Sequence, residues 1–100
     1  MGLKFEWDRK KAESNLKKHG VSFEEATTVF SDPLAAIFDD EEHSDNERRE
    51  IIIGYSRSNR LLLVSFVERV VNVIRIISAR LSTKKERKDY EKNANRKNPL

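Results

Sequence analysis

The sequence predicts an α+β domain: a small, mostly antiparallel sheet, two N-terminal helices on one of its faces, and a charged C-terminal helix. Three observations predict it. Apolar residues at helical spacing, flanked by capping residues, fill much of the first third of the chain. Apolar runs rich in β-branched residues follow between positions 51 and 77, and a lysine-rich segment with a single aromatic closes the chain.

The elements can be justified in order. Leu3, Phe5 and Trp7 alternate with Lys4 and Glu6, which predicts a short half-buried strand. Asp8 is placed to cap a helix in which Ala12, Leu16 and His19 share a face, and Gly20 suits the left-handed residue that ends it. Ser22 and Glu25 have capping-box spacing, with Phe23, Ala26, Val29 and Phe30 as the apolar face and Asp32-Pro33 as the stop. Leu34 to Phe38 reads as a short strand and the acidic stretch from Asp39 to Glu50 as a loop. Ile51 to Tyr55 and Leu61 to Val67 read as a hairpin around residues 56–60. Leu61 to Val64 is apolar on both faces and belongs mid-sheet. Val70 to Ile77 is a further strand, with Glu68-Arg69 near the turn before it. Thr83 and Glu86 form a second capping box, opening a helix to about Asn93 whose few apolar members include Tyr90.

At 100 residues the chain reads as one domain, expected over residues 1–94, with a disordered tail at 95–100. It has no cysteine, which excludes disulfide scaffolds, thiolate metal sites and cysteine nucleophiles. Neither a membrane-spanning run nor a signal peptide is expected, so the reading is a soluble, cytoplasmic protein. The net charge of +3 hides an asymmetry. Residues 22–50 hold two basic and ten acidic groups, whereas residues 69–100 hold ten basic and three acidic ones. A basic C-terminal third suits a polyanion partner; equally, the two lobes can pair with each other.

His19 and His43 form no metal-ligand pattern, no Gly-x-Ser-x-Gly turn occurs, and the three glycines cannot build a phosphate loop. Arginine within strand chemistry stands out instead. Arg75 lies inside Val73-Ile74-Arg75-Ile76-Ile77, and Arg80 follows just before a helix start. A guanidinium in such a run must reach water, a carboxylate or a phosphate. Plain alternation puts the two on opposite faces unless the strand ends or bulges near Ser78. The structural alternative is an Arg75 ion pair with Glu68 or Glu47. Trp7 can stack on a base or sit in the core. His19 can meet a phosphate, move a proton or merely cap its helix. Lys84, Lys85, Arg87 and Lys88 are a solvated face or one wall of a basic groove, and Tyr90 is a functional hydroxyl or the helix's anchor.

These residues carry a resemblance. Phe5-Glu6-Trp7-Asp8, Asn15 to Ala26 (including Lys18-His19-Gly20-Val21-Ser22-Phe23-Glu24-Glu25-Ala26), Asp32-Pro33, Glu47-Arg48, Ile53-Gly54, Arg75-Ile76-Ile77-Ser78-Ala79-Arg80 and Glu86-Arg87 before Tyr90 resemble the BrnT toxins of type II toxin–antitoxin systems. The likeness runs over about residues 4 to 91 and departs at Arg69-Val70-Val71, where a glycine-containing turn is expected. It implies a RelE-like ribonuclease fold and RNA cleavage that arrests growth. It also implies neutralisation by an adjacent BrnA-like ribbon-helix-helix antitoxin, which would bring operator DNA to the complex. A toxin dimer within that complex is a further expectation. With RNA as substrate, no metal or other cofactor is expected. Arg75 and Arg80 would stabilise the phosphate, with Arg48 as a third cation; Glu68, His19 and Tyr90 would be the acid–base candidates. Lys84, Lys85 and Trp7 would bind RNA. The competing class is a non-catalytic basic module that acts through its partner.

Overall fold

A computed structural model of the chain describes residues 2–43 and 46–97, with side chains through residue 93. Strand β1 (Lys4–Glu6) leads into helices α1 (Arg9–His19) and α2 (Phe23–Thr28), the latter prolonged by a 3-10 turn over Val29–Ser31. Strand β2 (Ala36–Asp39), a 3-10 turn at Glu41–His43, and strands β3 (Glu50–Tyr55), β4 (Leu61–Val70) and β5 (Val73–Leu81) follow, and helix α3 (Lys84–Lys97) ends the described chain. The sheet order is β1-β5-β4-β3-β2. The run that is apolar on both faces therefore occupies the central strand.

The expected α+β class holds, but the sheet is mixed. Three pairings are antiparallel, and β1 pairs with β5 in parallel, with Glu6 opposite Arg75. The two N-terminal helices carry the chain from β1 to β2 at the opposite edge; it returns through β3 and β4 before β5 pairs with β1, and local periodicity holds no trace of that pairing.

Asp8 caps α1 by accepting from the backbone amides of Lys10 and Lys11, and Gly20 ends it at φ 68°. Within α1 the inward position is Asn15, which is buried; Leu16 is 51% exposed, which corrects the expected apolar face. Ser22 accepts from the Glu25 amide, but the Glu25 carboxylate binds Arg60 and Ser56 across the molecule instead of closing the box. Glu68-Arg69 belongs to β4, which runs on to Val70, and Asn72 at φ 68° supplies the left-handed residue of the β4–β5 turn without glycine. Helix α3 continues to Lys97, so residues 95–97 of the expected tail are helical; residues 98–100 lie outside the described residues.

One core lies between α1–α2 and the sheet. Val21, Phe23, Ala26 and Val29 pack on Ile52, Leu62, Val64, Phe66, Ile74, Ile76 and Ala79. A smaller cluster on the opposite face joins Ile53, Leu61 and Leu63 to Tyr90 of α3. Among the described residues α3 covers only that end, so the β1–β5 part of this second face is left open by the helices.

Candidate nucleic-acid interface

Strand β5 organises the site. Its register against β4 slips between Ser65 and Phe66: Ser65 faces Ser78 while Phe66 faces Ile76, leaving Ile77 as the extra residue of a bulge. Arg75 consequently pairs with Val67 and Arg80 with Leu63. These partners are four residues apart on β4, so both arginines stand on the same face, the one opposite α1 and α2. Their backbones are about 14 Å apart along the strand.

The arginines do not gather in a single hollow; each is turned to its own carboxylate. Arg80 forms two parallel bonds to Glu86, Nη1 to Oε1 at 2.9 Å and Nη2 to Oε2 at 2.9 Å. The Arg80 hydrogen bonds, helped by the Thr83 amide, hold the Glu86 carboxyl down at about 2 against the cost of partial burial. Arg75 Nε lies 3.5 Å from Glu6 Oε2, and Arg69 Nη1 donates to the same oxygen at 3.0 Å. Arg75 Nε is buried and makes no hydrogen bond among the described residues. The counter-ion expected at Glu68 or Glu47 is thus Glu6, a partner fixed by the parallel β1–β5 pairing.

Beyond Arg75, β1 has ended and the outer edge of β5 is free of strand pairing. Asn15 closes part of it: its Oδ1 accepts from the Ala79 amide at 3.1 Å, and its Nδ2 donates to Ala79 O at 2.8 Å and Val21 O at 2.9 Å. Beside this cap lies a shallow cleft lined by Lys11, Ser14, Lys18, His19, Ile77 and Ser78. A smaller cleft that shares Lys11 and Ile77 continues to Asp8 and Arg75. His19 is exposed at the end of α1, and its ring makes no hydrogen bond among the described residues. The structure thus brings Arg75 and His19 to one edge of β5, with Lys11 and Lys18 between and around them.

The other expected residues fall elsewhere. Glu68 pairs with Ile74, a core residue on the α1–α2 side, and accepts from the Asn72 amide at 3.0 Å, so it braces the turn away from Arg75. Tyr90 is 5% exposed; its hydroxyl donates to Asp32 Oδ2 at 2.7 Å, and its ring meets Tyr55 edge-on at 5.7 Å. Burial, and then the adjacent Asp32 charge, push its phenol well above the ordinary tyrosine range, which unsuits it to proton transfer and makes it the anchor of α3. Trp7 packs edge-on against Phe23 at 5.9 Å in the helix-side core, across the sheet from Arg75 and Arg80. Arg48 pairs with Asp39 at 3.0 Å beside the far edge strand, three strands from β5. Lys84 and Lys85 are exposed in the first turn of α3, directly after Arg80's strand.

Glu6, Arg69, Asn15 and Asp32 were not singled out by the sequence. Asp32 collects the Leu34 amide, the Tyr55 amide and the Tyr90 hydroxyl. Burial opposes its charge, but those three donors outweigh it and lower its pKa. The legible sign was the Asp-Pro helix stop, which marks a loop but not the β3 and α3 groups that meet there. Among the described residues no group of three or more His, Cys, Asp or Glu is arranged to hold a metal, and no helix is long and apolar enough to cross a membrane.

Comparison with known proteins follows this geometry. The family model described as the ribonuclease toxin BrnT of type II toxin–antitoxin systems matches residues 7–86. Among solved structures, the crystal structure of the Brucella abortus ribonuclease toxin BrnT is similar in fold, with a TM-score of 0.63 and 24% identity. The match covers 82% of this chain and 99% of the Brucella chain. A search of curated protein sequences finds no match. The family model begins just after β1 and spans α1, α2, the sheet's other four strands and the start of α3, and on that ground the chain belongs to the BrnT family of type II ribonuclease toxins.

Proposed function

We propose that the chain is a metal-independent endoribonuclease in which the RNA backbone lies along β5. The observation that carries this reading is the Ile77 bulge, which turns Arg75 and Arg80 to one face and opens the edge where His19 stands. The 2′-hydroxyl attacks the adjacent phosphorus: a 2′-O–P bond forms, the P–O5′ bond breaks, and a cyclic phosphate and a 5′-hydroxyl result. The protein needs to stabilise the added charge on phosphorus, take the 2′ proton and return one to the 5′ oxygen. Arg75 supplies the first cation through its half-exposed guanidinium, and Arg80 the second, once phosphate replaces Glu86. His19 is the one of the three acid–base candidates that is exposed and uncommitted, and an imidazole offers both a donor and an acceptor nitrogen. Lys11, Lys18, Lys84 and Lys85 attract the polyanion without reading its sequence. In the same reading the fold is RelE-like, the setting is cytoplasmic, and a BrnA-like ribbon-helix-helix antitoxin neutralises the chain and carries it to operator DNA.

The experiment mixes antitoxin-free chain with an oligoribonucleotide of readable 5′ end in the presence of chelator. Discrete cuts leaving 5′-hydroxyls are expected, and Arg75→Ala and Arg80→Ala each slow cleavage by about 10²–10³-fold. Wild-type rates in both variants, or intact but retarded RNA, would falsify the catalytic assignment.

A further inference from the structure

The edge of the sheet farthest from β5 carries a second surface, with no part in the proposed RNA chemistry. Between α3 and the sheet runs an apolar groove of about 200 Å³, floored by Leu34, Ala36, Ile53, Leu63 and Tyr90 and open at Phe38. Its outer wall is β2, which pairs only with β3 and so presents a free backbone edge. That edge is apolar on both faces: Ile37 is 54% exposed and Phe38 48%. The strand carries no lysine or proline, and its unpaired backbone groups are a template for another strand.

We infer that this groove and edge form the docking site for an extended, basic-flanked apolar segment of the antitoxin, which adds a strand to β2 and seats an apolar side chain against Leu34 and Leu63. This rests on the toxin reading given above, since that reading supplies the protein partner. Charge favours a basic segment over a second copy of the chain. Beyond Phe38 the chain continues as Asp39-Asp40-Glu41-Glu42, in which Asp39 is paired with Arg48 and Asp40 with His43 while Glu41 and Glu42 are exposed; Asp89 rims the groove from α3 beside Glu86, which holds Arg80. A segment running past β2 meets this acidic run. If a second copy paired its own β2 antiparallel to this one, it would set residues such as Leu34 and Ala35 there and bring no cation to Glu41 and Glu42. Glu86 links the two surfaces, because it rims the groove and also holds Arg80. An occupant of the groove therefore sits beside the carboxylate that keeps Arg80 from phosphate.

The test titrates the purified cognate antitoxin into the chain and into Ile37→Lys and Phe38→Lys, both exposed positions whose change leaves the core intact. Each lysine should weaken antitoxin binding at least about thirtyfold, while cleavage of the oligoribonucleotide stays at the parent rate. The variant enzymes should then resist neutralisation. Lys10→Glu, on the exposed side of α1, serves as the control and should bind as the parent does. Antitoxin affinity within about twofold of the parent in both lysine variants overturns the assignment. So does a parent dimer in sedimentation that Phe38→Lys dissociates, because the edge then belongs to a second copy. Failure of the parent to cleave RNA counts against the proposed chemistry alone, since the titration reads antitoxin binding directly.

Discussion

Replacing Asn15 tests how the strand that carries the arginines is held. The side chain is 6% exposed and makes three bonds to main-chain groups, two of them on Ala79, itself 1% exposed. Asn15→Ala leaves one buried amide and two buried carbonyls without partners. At roughly 0.5–1.5 kcal/mol for each net hydrogen bond, the loss is about 3 kcal/mol. Alanine's better helix propensity returns about 0.6 kcal/mol, leaving a net loss of about 2–3 kcal/mol. For a domain of this size that lowers Tm by roughly 10–20 °C, read by urea denaturation and a calorimetric scan. Asn15→Asp is the sharper variant. Its carboxylate can still accept from the Ala79 amide but faces the carbonyls of Val21 and Ala79 with no proton to donate. It should be less stable than Asn15→Ala at neutral pH and recover on acidification, when a protonated acid donates one bond. An Asn15→Ala chain within about 1 kcal/mol of the parent, or an Asn15→Asp chain as stable as the parent at pH 7, would refute the account.

Other outcomes are expected from the same geometry. Tyr90→Phe removes one of the three donors on Asp32 and should cost about 1–2 kcal/mol while RNA cleavage continues; a loss of two or more orders of magnitude in rate would restore Tyr90 as a catalyst. Glu86 has its folded-state pKa depressed to about 2 from 4.5, so the stabilisation it gains from Arg80 is full above the unfolded value and fades as pH falls through the folded one. The stability gap between the parent and Glu86→Gln, followed by urea midpoints, should therefore close between about pH 4.5 and 2, and a gap that widens there would contradict the pairing. Gly54→Ala places a methyl 2.9 Å from Ala35 Cβ and 3.0 Å from Asp32 Oδ2, in a site where both neighbours are fixed by backbone. It should cost about 1–3 kcal/mol in chemical denaturation, and a neutral result would mean that the Asp32 loop yields.

Much of the fold was legible because local chemistry dictates it. Asp8, Gly20 and Ser22 mark helix ends through their own side chains or φ, and Leu61 to Val64 announces the central strand by being apolar on both faces. What escaped depends on partners distant in sequence. The parallel β1–β5 pairing joins residues about 70 positions apart, and with it came the Glu6 counter-ion and the mixed sheet. Asn15 looked like an ordinary polar helix position because its three partners, Val21 O and the two main-chain groups of Ala79, are backbone and carry no residue signature. The Ile77 bulge was anticipated only as a condition for Arg75 and Arg80 to share a face, and the structure meets that condition. Sharing a face did not make a single cationic hollow, because each guanidinium had a carboxylate within reach.

In the proposed reaction those carboxylates set the order in which an anion would reach the two arginines. Exposed ion pairs contribute about 0–1 kcal/mol, so a phosphate that offers equal geometry and more charge can displace them. Arg75 is the easier of the two, since its Nε is 3.5 Å from Glu6 with no hydrogen bond, and Glu6 keeps Arg69 when Arg75 leaves. Arg80 is harder, because two bonds of 2.9 Å must be exchanged together. Yet Glu86 does not lose its place when Arg80 goes: the Thr83 amide still donates to its Oε1 at 2.8 Å, and its own amide still donates to Thr83 Oγ1 at 3.1 Å. The cap of α3 therefore survives the exchange, and Tyr90 keeps the helix on Asp32 throughout. In the proposed reaction phosphate would therefore engage at Arg75 first and recruit Arg80 second, with the helix beside them already in position.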